Sequence, residues 1–163
     1  MLVGILSDSH GRFVAVREAL QIFDRMGVGH IIHCGDVGGT EVFDELVGRP
    51  CTFVWGNTDD VDAGVIQFLQ TVGIPIPTKI PTTLELDGKS LAVFHGHEPE
   101  FAATLRNPRF DYILHGHTHE PCDERQGPTR IINPGALHRA RRKTVATLDA
   151  AADEVIFHEL PGL

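Results

Sequence analysis

Five short polar clusters recur along the chain, and each one follows or ends an apolar run that predicts a β-strand. Together they supply the side chains Asp8, His10, Asp36, Asn57, His95, His117 and His119. Loops at strand ends bring side chains to one point when the strands lie in the sheets of an α/β fold. The pattern therefore constrains the fold and the chemistry together.

Strand and helix patterns alternate in the first half of the sequence and give way to hairpins in the second. Apolar runs and periodic patterns predict strands at Leu2–Ser7, His30–Cys34 and Thr52–Trp55 and helices at Phe13–Met26, Thr40–Val47 and Val61–Val72. Later strands are predicted at Thr83–Leu86, Ser90–Phe94, Tyr112–Leu114, Arg130–Ile132, Thr144–Leu148 and Glu154–Glu159, with a two-residue turn at Asp87-Gly88. This order predicts an α/β fold, a four-layer αββα sandwich of two mixed β-sheets flanked by helices, in a single domain over residues 1–163.

The polar side chains of the clusters suit transition metals. A mixture of carboxylate, amide oxygen and imidazole favours manganese first, with iron, zinc or nickel as alternatives, over an oxygen-only calcium site or a thiolate zinc site. The set is too large for one tetrahedral ion, so we expect two divalent metal ions.

Each cluster also has a purely structural interpretation. Asp8 and His10 could cap the helix that begins at Phe13, and Asp36 and Asn57 could be ordinary turn residues. The two His-Gly-His units are harder to explain in this way. Because independent turns need not all carry metal-binding side chains, the five clusters together favour a functional site.

Composition restricts the partners and the compartment. The chain has 14 basic and 22 acidic residues, a net charge of −8, which argues against nonspecific binding of nucleic acid. Three cysteines form no paired spacing and favour a reducing environment. The first strand begins at Leu2 and no apolar run reaches membrane-spanning length, so we expect a cytoplasmic protein without a signal peptide or membrane span.

Taken in order, the clusters resemble those of the calcineurin-like metallophosphoesterases, and most closely the small YfcE-like branch. The matching motifs are Asp-x-His, Gly-Asp-x-x-Gly, Gly-Asn-x-Asp, His-Gly-His and Gly-His-Thr-His, followed by Asn133-Pro134-Gly135. The resemblance covers essentially the whole chain, and the combined pattern is highly specific.

The resemblance implies a phosphodiesterase with two metal ions and a metal-bridging hydroxide that attacks a small-molecule phosphate ester. It assigns Asp8, His10, Asp36 and His119 to one ion and Asp36, Asn57, His95 and His117 to the other. Asp36 bridges the two ions in that scheme. His97 would contact the substrate or donate a proton.

Two positions depart from the family's pattern. Thr58 stands where the wider superfamily has a histidine that protonates the leaving group and where the small branch commonly has cysteine. Ala136 stands where the branch usually has serine. Without a clear acid at residue 58, we expect aryl phosphodiesters, which have good leaving groups, to react best.

Two other functions compete with this interpretation. The superfamily includes a retromer scaffold subunit that binds partner proteins, in which the bridging aspartate and the asparagine of the site are altered. Here Asp36 and Asn57 are both present, which favours the enzyme. A nuclease is disfavoured by the acidic balance and by the lack of an aromatic-basic pattern. Family analogy leaves a homo-oligomer open.

Overall fold

The computed structural model, which describes residues 1–162, contains two mixed β-sheets flanked by helices. The strands are β1 (Leu2–Leu6), β2 (His30–His33), β3 (Cys51–Phe53), β4 (Thr82–Leu86), β5 (Lys89–Val93), β6 (Tyr112–Leu114), β7 (Cys122–Gln126), β8 (Thr129–Asn133), β9 (Thr144–Asp149) and β10 (Glu154–Glu159). The helices are α1 (Phe13–Met26), α2 (Thr40–Leu46), α3 (Ala63–Val72) and α4 (Pro99–Arg106). Within residues 1–162, no helix combines the length and apolar character needed to cross a membrane.

Each sheet has five strands within the described range, residues 1–162, and joins parallel to antiparallel pairs. The first sheet has the order β10-β9-β1-β2-β3, and the second has the order β4-β5-β6-β8-β7. β1 is parallel to β2 and antiparallel to β9. β5 is parallel to β6 and antiparallel to β4. The predicted mixed sheets are confirmed.

Three apolar clusters define four layers. Val3 and Ile5 of β1 pack with Leu91 and Val93 of β5 between the two sheets. The opposite face of the first sheet packs against α1, α2 and α3, where Phe23 is fully buried. On the outer face of the second sheet, an apolar cluster includes side chains of α4. The predicted αββα order is therefore confirmed.

The sequence patterns did not predict two of the elements, α4 and β7. α4 is short and has no buried residue, and only Phe101 and Leu105 of this helix pack against the second sheet. β7 is a polar strand at the sheet edge, and β8 is its one pairing partner within residues 1–162. Neither segment has the apolar periodicity on which the prediction depends, because each buries little surface.

The parallel strands place their carboxyl ends on one side of the molecule. Asp8 follows β1, and Asp36 follows β2 in the first sheet. His95 follows β5, and His117 follows β6 in the second sheet. Because the sheets stack face to face, loops from both converge at this edge.

Candidate metal centre

The structure brings all seven predicted side chains together at the edge where the loops converge. One group contains Asp8, His10 and His119. The Oδ1 atom of Asp8 lies 3.1 Å from Nε2 of His119 and 3.8 Å from Nε2 of His10. The two imidazole Nε2 atoms are 3.4 Å apart. Three potential donor atoms therefore surround a small space.

A second group is centred on His95. Its Nε2 atom lies 3.0 Å from Oδ1 of Asn57, 3.2 Å from Oδ2 of Asp36 and 3.3 Å from Nδ1 of His117. His95 and Asp36 are buried, whereas Asn57 lies at the solvent-exposed rim. The second group thus has donors of all three predicted chemical types.

The two aspartates lie near both groups. Oδ2 of Asp36 is 3.5 Å from Nε2 of His10 as well as close to His95, which is compatible with the predicted bridging role. Asp8 is also shared, because its Oδ1 atom lies 4.0 Å from Nε2 of His95. The resemblance did not identify this central position of Asp8, and the bridging assignment stays a prediction.

The orientation of the donors fits a cation. Nδ1 of His95 lies 2.8 Å from the carbonyl oxygen of Cys34, so this nitrogen carries the proton and donates. The Nε2 atom, which is the acceptor nitrogen of this tautomer of the neutral imidazole, faces Oδ1 of Asn57 and Oδ2 of Asp36. Oδ1 of Asp8 is buried and has no hydrogen-bond partner within residues 1–162. Oxygen and nitrogen lone pairs that face one another with no hydrogen between them repel one another. A divalent ion bound between them would remove that repulsion.

The pKa shifts favour the protonation states that metal binding requires. Burial lowers the pKa of His10 and outweighs the opposing charges of Asp36 and Asp8. Burial alone would raise the pKa of Asp36, but hydrogen bonds from Thr58 and the nearby His95 and His10 bring the net pKa below its ordinary value. The imidazole is therefore neutral and the carboxylate ionised near neutral pH.

The backbone is left-handed at most of these positions. Positive φ angles occur at Asp8 (53°), His10 (44°), Asp36 (52°), His117 (71°) and His119 (63°). Such angles are uncommon outside glycine and cost on the order of 1–3 kcal/mol each. Hydrogen bonds hold the loops, with the Asp8 amide donating to Gly35 (3.0 Å) and the His10 amide to Asp36 (2.9 Å). The strain is concentrated at the predicted site, as is common at functional positions.

Asp59 connects two of the loops. Its carboxylate accepts hydrogen bonds from the amides of Gly38 (2.9 Å) and Gly56 (2.8 Å), which follow β2 and β3. The sequence motif contained Asp59 without indicating this role. Residue 56 is a glycine because its backbone packs closely against Asp36. An added Cβ atom would lie 2.0 Å from Oδ1 and 2.2 Å from the amide nitrogen of Asp36.

Two further polar side chains hold the histidine loops. Buried Glu98 accepts hydrogen bonds from the amides of His95 and Gly96, each at 2.7 Å. Asn133 donates to the carbonyl of Gly116 at 3.0 Å. Asn133 belongs to a motif noted in the sequence, but no sequence signal marks Glu98.

His97 and Thr58 lie at the margin of the centre. The ring of His97 is 5.4 Å from that of His95 and 6.2 Å from that of His117, and its side chain is partly exposed. It belongs to neither donor group. Thr58 donates its amide to Asp36, and its hydroxyl lies 3.5 Å from Nδ1 of His10. Both side chains are exposed at the edge of the centre.

Comparison with known families and sequences gives consistent matches. Residues 1–153 match the calcineurin-like phosphoesterase superfamily domain. The chain is 28% identical over 138 residues to phosphodiesterase MJ0936 of Methanocaldococcus jannaschii, covering 83% of each protein. It is 29% identical over 149 residues to phosphodiesterase YfcE of Escherichia coli, covering 80% of this chain and 76% of YfcE.

Solved structures share the same fold. An archaeal phosphodiesterase superimposes with a TM-score of 0.87 and 26% identity, over 98% of this chain and all of the other (100%). Vps29 from Entamoeba histolytica, complexed with Zn²⁺, superimposes with a TM-score of 0.68 and 19% identity, over 98% of this chain and 91% of Vps29. The second likeness concerns the fold alone.

Proposed function

Because the chain belongs to the calcineurin-like phosphoesterase superfamily, we propose that it is a dinuclear-metal-dependent phosphodiesterase that hydrolyses small-molecule phosphate esters. The observation that carries this proposal is the convergence of side chains able to bind a metal ion from both sheets, above all Asp8, Asp36 and His95. The named phosphodiesterase relatives support the same reaction class.

The seven side chains divide into two sets of donors. We assign one ion, manganese first, to Asp8, His10, Asp36 and His119 and the other to Asp36, Asn57, His95 and His117. Bound divalent ions would supply charge neutralisation of the phosphoryl group and a water of lowered pKa for the attack on phosphorus. Two divalent ions would bring four positive charges, and the carboxylates of Asp8 and Asp36 would offset two of them. The net positive charge of the loaded centre would favour an anionic phosphate ester.

The chain itself supplies positioning. Cys34 fixes the tautomer of His95, and Glu98 holds the loop that carries it, so the imidazole is set before the substrate arrives. His97 lies beside this loop, and we assign it contact with the substrate or proton donation. These roles require little rearrangement on binding.

We also infer that residues 1–163 act as a single domain in the cytoplasm. The free thiols of Cys34, Cys51 and Cys122 support a reducing compartment. Burial raises the pKa of both Cys34 and Cys51, which leaves these two thiols unreactive.

A direct test is hydrolysis of bis-p-nitrophenyl phosphate by the full chain reconstituted with manganese, iron, zinc or nickel. We expect turnover that depends on added metal and is lost with a chelator. A panel of monoesters, diesters and cyclic nucleotides would then define the substrate class. Tight binding of a partner protein without metal-dependent turnover would instead support the scaffold function, for which the fold shared with Vps29 is the present support.

Thr58→His is expected to help substrates with poor leaving groups more than aryl esters. Threonine cannot protonate an alkoxide near neutral pH, whereas a well-placed acid contributes about 10²–10⁴-fold. The position suits this role, because the Thr58 hydroxyl is exposed and lies 3.5 Å from His10. The measurement is kcat/KM against leaving-group pKa for both proteins.

The matched control is Thr71→His, which changes an exposed threonine on α3. If kcat/KM of the unmodified protein did not change with leaving-group pKa, the hypothesis would be contradicted. That result would show that another group, such as His97, already supplies the proton.

A further inference from the structure

A cavity of about 490 Å³ opens beside the metal centre. Gly56 and His97 are among its lining residues. Gly56 precedes Asn57 and touches Asp36, and the ring of His97 lies 5.4 Å from that of His95. A molecule that reached the centre would therefore have this cavity next to it.

The walls of the cavity are largely apolar. Trp55, Pro77 and Ile80 line it, and the buried Val54 and Val93 lie behind this surface. The side chain of Ile80 is 57% exposed, so it can contact a bound molecule. Small-molecule sites commonly have volumes of about 300–1,000 Å³ and apolar walls with a few polar groups. The cavity has the size and lining of a site for an aromatic group.

The charges around the cavity select against an anion. The charged lining residues are one cation, Lys79, and two carboxylates, those of Glu98 and Glu100. Glu98 is buried and already holds two backbone amides, so it has no need of a ligand. A second negative group would be repelled, whereas a neutral ring would replace water along the apolar walls.

We propose that this cavity binds a neutral aromatic group on one ester arm of the phosphodiester substrate. The proposal rests on the function proposed above and extends it to a specificity site. Trp55 and Ile80 contact the ring, while the phosphoryl group lies at the metal centre.

The sole tryptophan of the chain, Trp55, reports occupancy of the cavity without catalysis. 4-Nitrobenzyl alcohol is a neutral aromatic alcohol that quenches tryptophan and has no phosphate to hydrolyse. Titrated into the full chain with Zn²⁺, it is expected to quench Trp55 saturably with Kd on the order of 1 mM, as its size allows. In a parallel titration without added metal, where no bound cation attracts an anion, the anionic analogue 4-nitrobenzoate is expected to bind at least about tenfold more weakly than the alcohol because of the carboxylates of Glu98 and Glu100.

Ile80→Glu is expected to weaken this binding by about tenfold or more and to raise KM for bis-p-nitrophenyl phosphate with little change in kcat, because it places a charge on the apolar rim. The matched control is Ile156→Glu, which adds the same charge at an exposed isoleucine of β10, on the far edge of the first sheet. The control should leave both measurements unchanged.

The outcomes separate this inference from the proposed function. Metal-dependent hydrolysis without saturable quenching, or with equal binding in Ile80→Glu, would overturn the aromatic site and leave the phosphodiesterase standing. Saturable quenching that Ile80→Glu abolishes, in a protein without turnover, would support the aromatic site and overturn the proposed reaction.

Discussion

Asp36→Asn is expected to reduce metal-dependent phosphodiester hydrolysis by more than about 100-fold while leaving the fold intact. Removing a residue that only orients a metal-binding side chain typically costs about 10–100-fold, so loss of a central carboxylate should cost more. Oδ2 of Asp36 lies within 3.5 Å of both His10 and His95. Asparagine keeps the shape but removes the charge shared by the two groups.

The measurements are kcat/KM and bound metal per chain, with circular dichroism as the test of folding. Asp44→Asn provides the matched control, because it makes the same change at an exposed aspartate on α2. Turnover near that of the unmodified protein, with metal present, would show that the assigned centre is wrong.

Gly56→Ala is expected to abolish metal binding and hydrolysis although residue 56 is not itself a donor. Its added methyl group would lie 2.0 Å from Oδ1 and 2.2 Å from the amide nitrogen of Asp36, so the aspartate or its loop must move. We expect a loss of activity of more than about 100-fold. The free energy of unfolding should fall by about 1–3 kcal/mol, the usual cost of overpacking.

Metal titration and urea unfolding of the same preparation measure the two effects. Gly29→Ala is the control, because there the nearest atom to an added methyl is the movable side chain of Met1, at 3.2 Å. If Gly56→Ala bound metal as well as Gly29→Ala, the close packing of this loop against Asp36 would have no part in the centre.

The sequence predicts most of the fold because most elements bury a patterned apolar face. The strand β1 is a nearly continuous apolar run, and β2 has two buried isoleucines between its histidines. The Asp87-Gly88 turn joins β4 to β5 as expected. The patterns missed α4, which packs on the outer face of the second sheet, and β7, which is an edge strand of that sheet. Their formation depends on pairing and packing with distant segments, which local periodicity does not record.

The sequence also predicts only part of the candidate site. Strand-end positions were enough to predict that Asp8, Asp36, His95 and His117 would meet, because parallel strands share an edge. The contact of Asp8 with both donor groups and the support from Glu98 were not predicted. The first depends on how the two sheets stack, because Asp8 follows β1 and His95 follows β5. The second is a local turn in which Glu98 accepts hydrogen bonds from residues two and three positions before it, and a single glutamate does not mark such a turn in the sequence.

The left-handed backbone at five of the predicted donor positions has a consequence for how such proteins change over time. Each of these residues is kept in a conformation that glycine would adopt without cost, so chemistry and stability oppose each other there. Replacing these residues with glycine would therefore relieve backbone strain and remove the proposed metal donors at the same positions, without disturbing either sheet. A chain of this fold could gain stability in this way while losing the proposed activity.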